Sequence, residues 1–340
     1  MSILPELRRV LDAREILTRD EASALMMRML AGEAADLELA ALLGAIAGRG
    51  EDPGEIAGFA STMRAAATTL PLEDAERENL VDTCGTGGDS SGTFNISTAA
   101  ALVAAAAGVP VAKHGNRAVT SACGSGDVLE ALGIPINLEP QSAVEALRAH
   151  GFCFLLAPSH HPAMRAVMPV RKALRVRTVF NVLGPLLNPA GAKRQVMGVF
   201  AARLVPVVAE AMTMLDIRHA MVVHGDGNLD EIALSGPTDI AEVRGTDIRT
   251  CTVTPEDFGL QRAPLEALHG EDAQGNARIL RAIFAGAPGP HRDVVLLNAA
   301  AVLVTAGKAG DMQQGVALAA QTIDSGTVTK LVEKLQTKVE

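Results

Sequence analysis

The sequence predicts an α/β fold: a small N-terminal helical domain followed by a large α/β domain with a mainly parallel central sheet. Three observations predict it. Residues 2–69 carry helix signals and no strand signal. From Leu80 onward, short apolar runs alternate with helix-like segments, the pattern of a parallel sheet. A length of 340 residues is long for one core and suits two unequal domains. The division is expected at residues 1–72 and 73–340, with helices around 162–187 completing the first unit.

The first element reads from Glu6, Arg8, Arg9 and Asp12, a charged helix with no apolar signal core. Thr18-Arg19-Asp20-Glu21 is a capping box before Ala24, Leu25 and Met29. Asp36 is expected to cap Leu37–Ala47, and Pro53 to open Gly54–Ala67. An acidic connector (Glu73, Asp74, Glu76, Glu78) leads to the apolar pair Leu80-Val81. Ser97–Ala107 is an alanine-rich helix. Strands are expected at Val109–Ala112, Cys153–Leu156, Val196–Phe200 and Ala220–His224, each followed by a helix. Pro162–Leu187 reads as short helices broken at Pro169 and Pro185. Ligands in such sheets bind at the carboxyl ends of the strands.

Composition narrows the function. Hydrophobic residues make up 48% of the chain, so it packs a core. Mean hydropathy is +0.22. There is no Trp or Tyr, so aromatic platforms for single-stranded nucleic acid are largely missing. The net charge of -9 disfavours a nucleic-acid or anionic-membrane surface. Acids are nevertheless absent from Ser90–Gly126 and from Ala146–Ala209, and the second span carries Arg148, Arg165, Arg171, Lys172, Arg175, Arg177, Lys193, Arg194 and Arg203. These segments are expected to face anions. Cys84, Cys123, Cys153 and Cys251 stand singly, which excludes a Cys-x-x-Cys zinc site and fits a cytoplasmic location. The apolar stretch Ile96–Val111 is too interrupted to span a membrane.

Four motifs carry the chemistry. Asp82–Asp89 holds three glycines in four positions and is closed by Asn95-Ile96-Ser97-Thr98. Strand, glycine turn and helix together present free amides and a helix N-terminus to an anion. Asp89 would repel bare phosphate, which points to a mediating divalent cation, as magnesium mediates with diphosphate. Lys113–Arg117 follows a strand and runs on to Gly124–Asp127, placing a cation and small donors beside the first loop. Gly225–Glu231 ends in adjacent acids, Asp230 and Glu231, which could serve magnesium; the spacing excludes an EF-hand. Pro158–Met164, followed by Arg171, suggests a substrate-lining or capping role for His160 and His161 and a carboxylate partner for Arg171. No residue is paired as a covalent nucleophile.

Together, Gly85–Asp89, Asn95–Thr98, Lys113–Arg117, Gly124–Asp127, His161–Met164, Pro169–Arg171, Arg177–Pro189 and Asp230-Glu231 resemble the anthranilate phosphoribosyltransferase family of tryptophan biosynthesis, in order through roughly Asp82–Pro237. The resemblance implies a homodimer through the helical side and two magnesium ions. It implies phosphoribosyl diphosphate on Gly85, Gly88, Asp89, Thr93, Asn95, Ile96, Ser97, Thr98, Lys113, His114, Gly115, Asn116, Arg117, Ser121 and Ser125. It implies anthranilate on Gly85, His114, Asn116, His161, Arg171 and Pro185, and metal on Ser97, Asp230 and Glu231. The sequence departs from the family pattern at Cys123, Gly126, Arg175 and Ser159-His160. Arg175 stands where glycine is common. The alternatives are a nucleoside phosphorylase-like enzyme, with less need of the acid pair, and a non-catalytic nucleic-acid-binding relative.

Overall fold

The structure is a computed structural model that describes residues 2–118 and 122–336. The chain opens with α1 (Leu4–Asp12), α2 (Arg19–Leu30), α3 (Asp36–Arg49) and α4 (Pro53–Ala65). Thr18 and Glu21 form the expected capping box at the start of α2. Pro53 lies in the first turn of α4, where a missing N–H costs no hydrogen bond, and Asp52 caps it. Asp36 is not a cap: Ala35 holds that position, and the Asp36 carboxylate faces the helix dipole from the first turn.

A short α5 (Asp74–Arg77) leads into β1 (Val81–Asp82), α6 (Ile96–Ala106) and β2 (Val111–Gly115). Then come α7 (Ser125–Ala131), α8 (Pro140–His150) and β3 (Phe152–Leu156). The segment after β3 holds α9 (Ala157–His160), a 3-10 turn at Pro162–Ala166, α10 (Met168–Leu174), α11 (Val179–Leu183) and a second 3-10 turn at Gly184–Leu187. Pro169 and Pro185 sit in first turns and so start helical pieces rather than break them. The chain continues through β4 (Arg194–Gly198), α12 (Leu204–Thr213), β5 (His219–Gly225), β6 (Thr238–Arg244) and β7 (Asp247–Val253). It closes with α13 (Ala273–Phe284), α14 (Pro290–Thr305), α15 (Met312–Asp324) and α16 (Thr327–Leu335).

Among the described residues the strands form one seven-stranded sheet in the order β3-β2-β1-β4-β5-β6-β7. The first five are parallel; β5, β6 and β7 pair antiparallel. The expectation of a helix after every strand therefore fails at β5. A Gly245 with φ of +60° at the β6–β7 turn carried the hairpin signal.

Alternation along the strands buries both faces of the sheet. Val111, Phe152, Phe154, Val196 and Met221 pack with α6, α7 and α13–α16. On the other face, Met197, Ala220 and Val222 pack with α12, with the N-terminal helices and with Val167, Val170 and Phe180. Ala112, Cys153 and Leu155 pack with Val144 and Leu147 of α8. The Ile96–Ala105 stretch is apolar because α6 is buried all round. From β1 the chain moves to β2 on one side, and from β4 to β5 on the other. The carboxyl ends of β1 and β4 therefore open a crevice at a switch in strand order.

Candidate active site

The Gly85–Asp89 loop leaves β1 at that crevice. Thr86 donates its amide to the Gly198 carbonyl at 2.9 Å, and the Phe200 amide donates to Thr86 Oγ1 at 3.0 Å. The Gly87 amide donates to Asp230 Oδ2 at 2.6 Å. Gly85 has to be a glycine: a Cβ there would lie 2.9 Å from Asp230 Oδ2 and 3.2 Å from the Gly198 carbonyl oxygen. Gly198 is tighter still, with a Cβ position 1.5 Å from the Asp230 carbonyl oxygen. The amides of Gly88 and Asp89 have no hydrogen-bond acceptor among the described residues.

The acid pair lies in the β5–β6 connection, closed by the Gly225–Leu229 bridge. Asp230 and Glu231 face Asp89 and the start of α6. Asp89 Oδ2 accepts from the Asp230 amide at 3.5 Å, and Glu231 Oε1 accepts from the Ser97 amide at 3.1 Å. The α6 N-terminus thus supports the Glu231 charge. Burial pushes both carboxyls well above the usual range; the Asp89 charge adds to this at Asp230, and the Asp230 charge at Glu231. A divalent cation would restore the charged forms. Among the described residues no group of three or more His, Cys, Asp or Glu is arranged to hold a metal alone. Two half-buried carboxylates with the Ser97 hydroxyl are hard oxygen donors. They fit magnesium, which keeps waters and shares substrate oxygens.

Lys113 does not stand at a solvated strand end. It is 2% exposed, and Nζ donates to Thr83 Oγ1 at 2.9 Å, the Thr83 carbonyl at 3.2 Å and Ser97 Oγ at 3.4 Å. Its charge lies beneath the loop and pulls Asp82 and Glu231 back toward ionisation. Burial still holds Asp82 up at about 6. Arg117 is engaged by α7. Its guanidinium takes Glu130 at 2.7 and 2.9 Å and Asp127 at 3.3 Å, because α7 presents both carboxylates on its adjacent turns. Gly115 and Ser125 are brought together: a Cβ on Gly115 would meet Ser125 Oγ at 2.4 Å. Ser125 Oγ donates to the Asn116 carbonyl at 3.2 Å. Asn95 is held by Asn276 Nδ2 at 2.9 Å and by Cys123, while Thr93 pairs across to His269. The buried Thr98 hydroxyl has no partner among the described residues. Ser121 lies outside the described residues.

On the acceptor side, His114 and His161 meet edge to face, with ring centroids 5.2 Å apart. Burial lowers His114 to about 3 and His161 to about 4, so both rings are neutral. Neither His114 ring nitrogen, nor His161 Nε2, has a partner of ordinary hydrogen-bond geometry among the described residues. Arg171 lies over the Phe180 ring at 5.0 Å and forms no ion pair with any described residue; burial lowers its pKa. Pro185 is buried, its carbonyl held by Gln195 Nε2 at 2.8 Å. His160 is structural: Nδ1 bonds the Thr68 carbonyl at 2.8 Å and ties α9 to the end of the helical domain.

Three supporting residues have roles that the sequence reading did not assign, and of these only Asn298 was not named in it. Buried Asn298 on α14 brackets Ile232, accepting from its amide at 2.9 Å and donating to its carbonyl at 3.0 Å, which fixes the acid pair. Asp82 Oδ1 accepts from the Thr83 and His114 amides at 2.7 and 3.1 Å, joining the ends of β1 and β2. Arg177 donates to the Gly88 carbonyl. A polar residue inside an apolar run was the signal at Asn298; Arg177 gave none beyond its charge.

Comparison with known proteins agrees with this architecture. Residues 5–67 match the glycosyl transferase family helical bundle domain, and residues 77–329 match the glycosyl transferase family a/b domain. Anthranilate phosphoribosyltransferase of Rhodopseudomonas palustris strain HaA2 is 50% identical over 94% of this chain and 93% of its own length. The enzyme of that name from Brevibacillus brevis is also 50% identical, over 94% of this chain and 93% of its own. The crystal structure of anthranilate phosphoribosyltransferase from Thermus thermophilus is 45% identical with a TM-score of 0.91, covering 97% of this chain and 98% of that one. The Saccharomyces cerevisiae enzyme in complex with PRPP and Mg is 27% identical with a TM-score of 0.88, covering 98% and 96%. A complex of the same yeast enzyme holds 4-fluoroanthranilate.

Proposed function

We propose a reaction for this chain from one premise: it belongs to the anthranilate phosphoribosyltransferase family. It transfers the phosphoribosyl group of 5-phosphoribosyl 1-diphosphate to the amino group of anthranilate, giving N-(5-phosphoribosyl)anthranilate and diphosphate, a step of tryptophan biosynthesis. The bond from ribose C1 to the diphosphate oxygen breaks, a bond from C1 to the amine nitrogen forms, and the amine gives up one proton. The aniline nitrogen is already neutral with a free lone pair, so no covalent nucleophile is required.

The observation that carries the assignment is the pairing at one crevice of a loop with free amides and an acid pair. The Gly88 and Asp89 amides, with the α6 start and Ser125, receive the diphosphate substrate, and Lys113 supplies positive charge from beneath. The polar set of Gly85, Thr93, Asn95, Ile96, Thr98, Gly115, Asn116 and Ser121 belongs to the same assignment. Ser97, Asp230 and Glu231 would hold magnesium, as two ions, and its chemistry there is to stabilise charge on the departing diphosphate. The yeast relative's complex with PRPP and Mg supports that use. Arg171 receives the anthranilate carboxylate, and the neutral His114 and His161 rings with Pro185 enclose its flat apolar body. Catalysis is then positioning and electrostatics. A nucleoside phosphorylase-like or nucleic-acid-binding reading is not favoured.

The domain division at 72/73 is supported by the separate matches of residues 5–67 and 77–329, and the completion of the helical unit by 162–187 by a core that α1–α4 share with Val167–Leu187, one that also takes in α12 and strands β4–β6. A homodimer through the helical side is supported by exposed apolar side chains there: Leu11 at 53%, Ile16 at 56%, Met27 at 63% and Leu37 at 85%. A cytoplasmic location is supported by four cysteines that form no disulfide among the described residues; no helix among the described residues is long and apolar enough to cross a membrane. The direct test is fluorescence-monitored consumption of anthranilate with phosphoribosyl diphosphate, with and without magnesium. Magnesium-dependent loss of the anthranilate signal is expected. No loss with either addition would overturn the assignment.

A further inference from the structure

We infer that Arg177 is a positioning residue that aims the anion-binding amides of the Gly85–Asp89 loop. The inference rests on the reading of that loop as the diphosphate site. Arg177 lies between α10 and α11, on the acceptor side, 89 positions away from its loop partner. Its Nη2 donates to the Gly88 carbonyl, and its guanidinium lies over the Phe200 ring, 4.3 Å from the centroid. Phe200 in turn donates its own amide to Thr86 Oγ1 at 3.0 Å. One side chain thus clamps the loop to the segment that follows β4.

The clamp matters because a planar trans peptide holds its C=O and N–H on opposite sides. Fixing the Gly88 carbonyl on Arg177 turns the Asp89 amide, in the same peptide plane, away from Arg177. That amide has no acceptor among the described residues, so it is free for a ligand. The loop cannot hold this orientation by itself. Gly87, Gly88 and Gly92 have φ of +64°, +73° and +68°, and glycine has many alternatives to these. Arginine suits the task because a planar guanidinium stacks on a ring and donates in its own plane at once, which lysine cannot do.

The test measures KM for each substrate, and phosphoribosyl diphosphate binding by calorimetry with magnesium, in Arg177→Ala, Arg177→Lys, Phe200→Leu and the Ala/Leu double variant. Arg177→Ala is expected to raise the diphosphate-substrate KM roughly ten- to a hundredfold, the size of one lost charged hydrogen bond, with little change for anthranilate. Arg177→Lys should restore only part of this. Phe200→Leu should have a smaller effect, and the double variant should be no worse than Arg177→Ala, because both residues act through one contact. Additive effects would mean that Arg177 acts as an independent charge, and would overturn the inference. So would unchanged affinity in Arg177→Ala while Asp230→Asn weakens binding. If neither variant alters binding, the reading of the site itself fails, and the clamp with it. Should Arg177→Ala not fold by circular dichroism, the Lys and Leu variants still decide, since only a clamp predicts a loss in both.

Discussion

Arg171 shows how far a single residue's surroundings state its task. It is partly buried, lies over the Phe180 ring, touches Met168 Sδ at 3.8 Å and forms no ion pair among the described residues, which leaves its charge open to the proposed carboxylate. Arg171→Ala is expected to raise the anthranilate KM about ten- to a hundredfold and leave the phosphoribosyl diphosphate KM nearly unchanged; steady-state kinetics with each substrate varied in turn checks this. The reverse pattern would move Arg171 to the phosphate site. Asp230→Asn and Glu231→Gln keep shape but remove the charge that a cation needs. Each is expected to lower kcat/KM at limiting magnesium on the order of a hundredfold or more, with the circular dichroism spectrum kept. His161 predicts a pH effect on stability. An unfolded imidazole protonates near 6.5, whereas burial holds folded His161 at about 4. Below 6.5 the unfolded chain binds the extra proton, so stability falls as pH falls from 6.5 toward 4. Asp82 acts in the opposite sense, its folded value of about 6 lying above the unfolded one. The His161 contribution is isolated by comparison with His161→Gln. Between pH 6.5 and 5, wild type should lose about 2 kcal/mol relative to the variant in urea unfolding.

At the scale of elements, the long acid-free span reads differently once folded. Arg148 pairs with Glu76, Lys193 with Asp216 and Arg203 with Glu51, while Arg194 binds the Glu78 and Thr305 carbonyls. Arg165, Arg171, Lys172, Arg175 and Arg177 have no ion pair with a described residue, so the unspent charge collects on 165–177, beside the crevice. Local sequence could not show this, because the neutralising acids come from distant elements. Arg175 ends α10 in the left-handed region with φ of +52°, a position that favours glycine. Arg175→Gly is expected to stabilise the fold by about 1 kcal/mol, roughly 1–2 °C in Tm for a chain of this size, by scanning calorimetry. An unchanged or lower Tm would mean that the side chain holds contacts that offset its strain. The helices with caps, α2 and α4, were legible because their signals are local. The β6–β7 pair was missed because the apolar-run criterion finds strands buried on both faces, and β7 is an exposed edge strand.

For the whole molecule, the exposed Met27 and Leu37 put apolar surface on the outside of the helical domain, away from the core they could have joined. On the proposed helical-side dimer, Met27→Asp with Leu37→Asp should leave the helical content intact and shift sedimentation to the monomer. A dimer that survives both charges would place the interface elsewhere.

The sequence by itself determined the two-part architecture, the alternation of parallel strands with helices and the glycine-rich loops after them. These follow from local periodicity, from glycines clustered after an apolar run, as at Gly85–Gly88, and from polar clusters set after apolar runs. Only the tertiary structure decided what each charged group does. It set Lys113 beneath the loop against Thr83 and Ser97, tied Arg117 to Glu130, made His160 a brace for Thr68, and brought Arg177 to Gly88. The physical reason is that a charge is defined by its partners. Those partners lie 13 to 92 positions away, and the farthest are brought within hydrogen-bond reach by a sheet whose strand order reverses between β1 and β4.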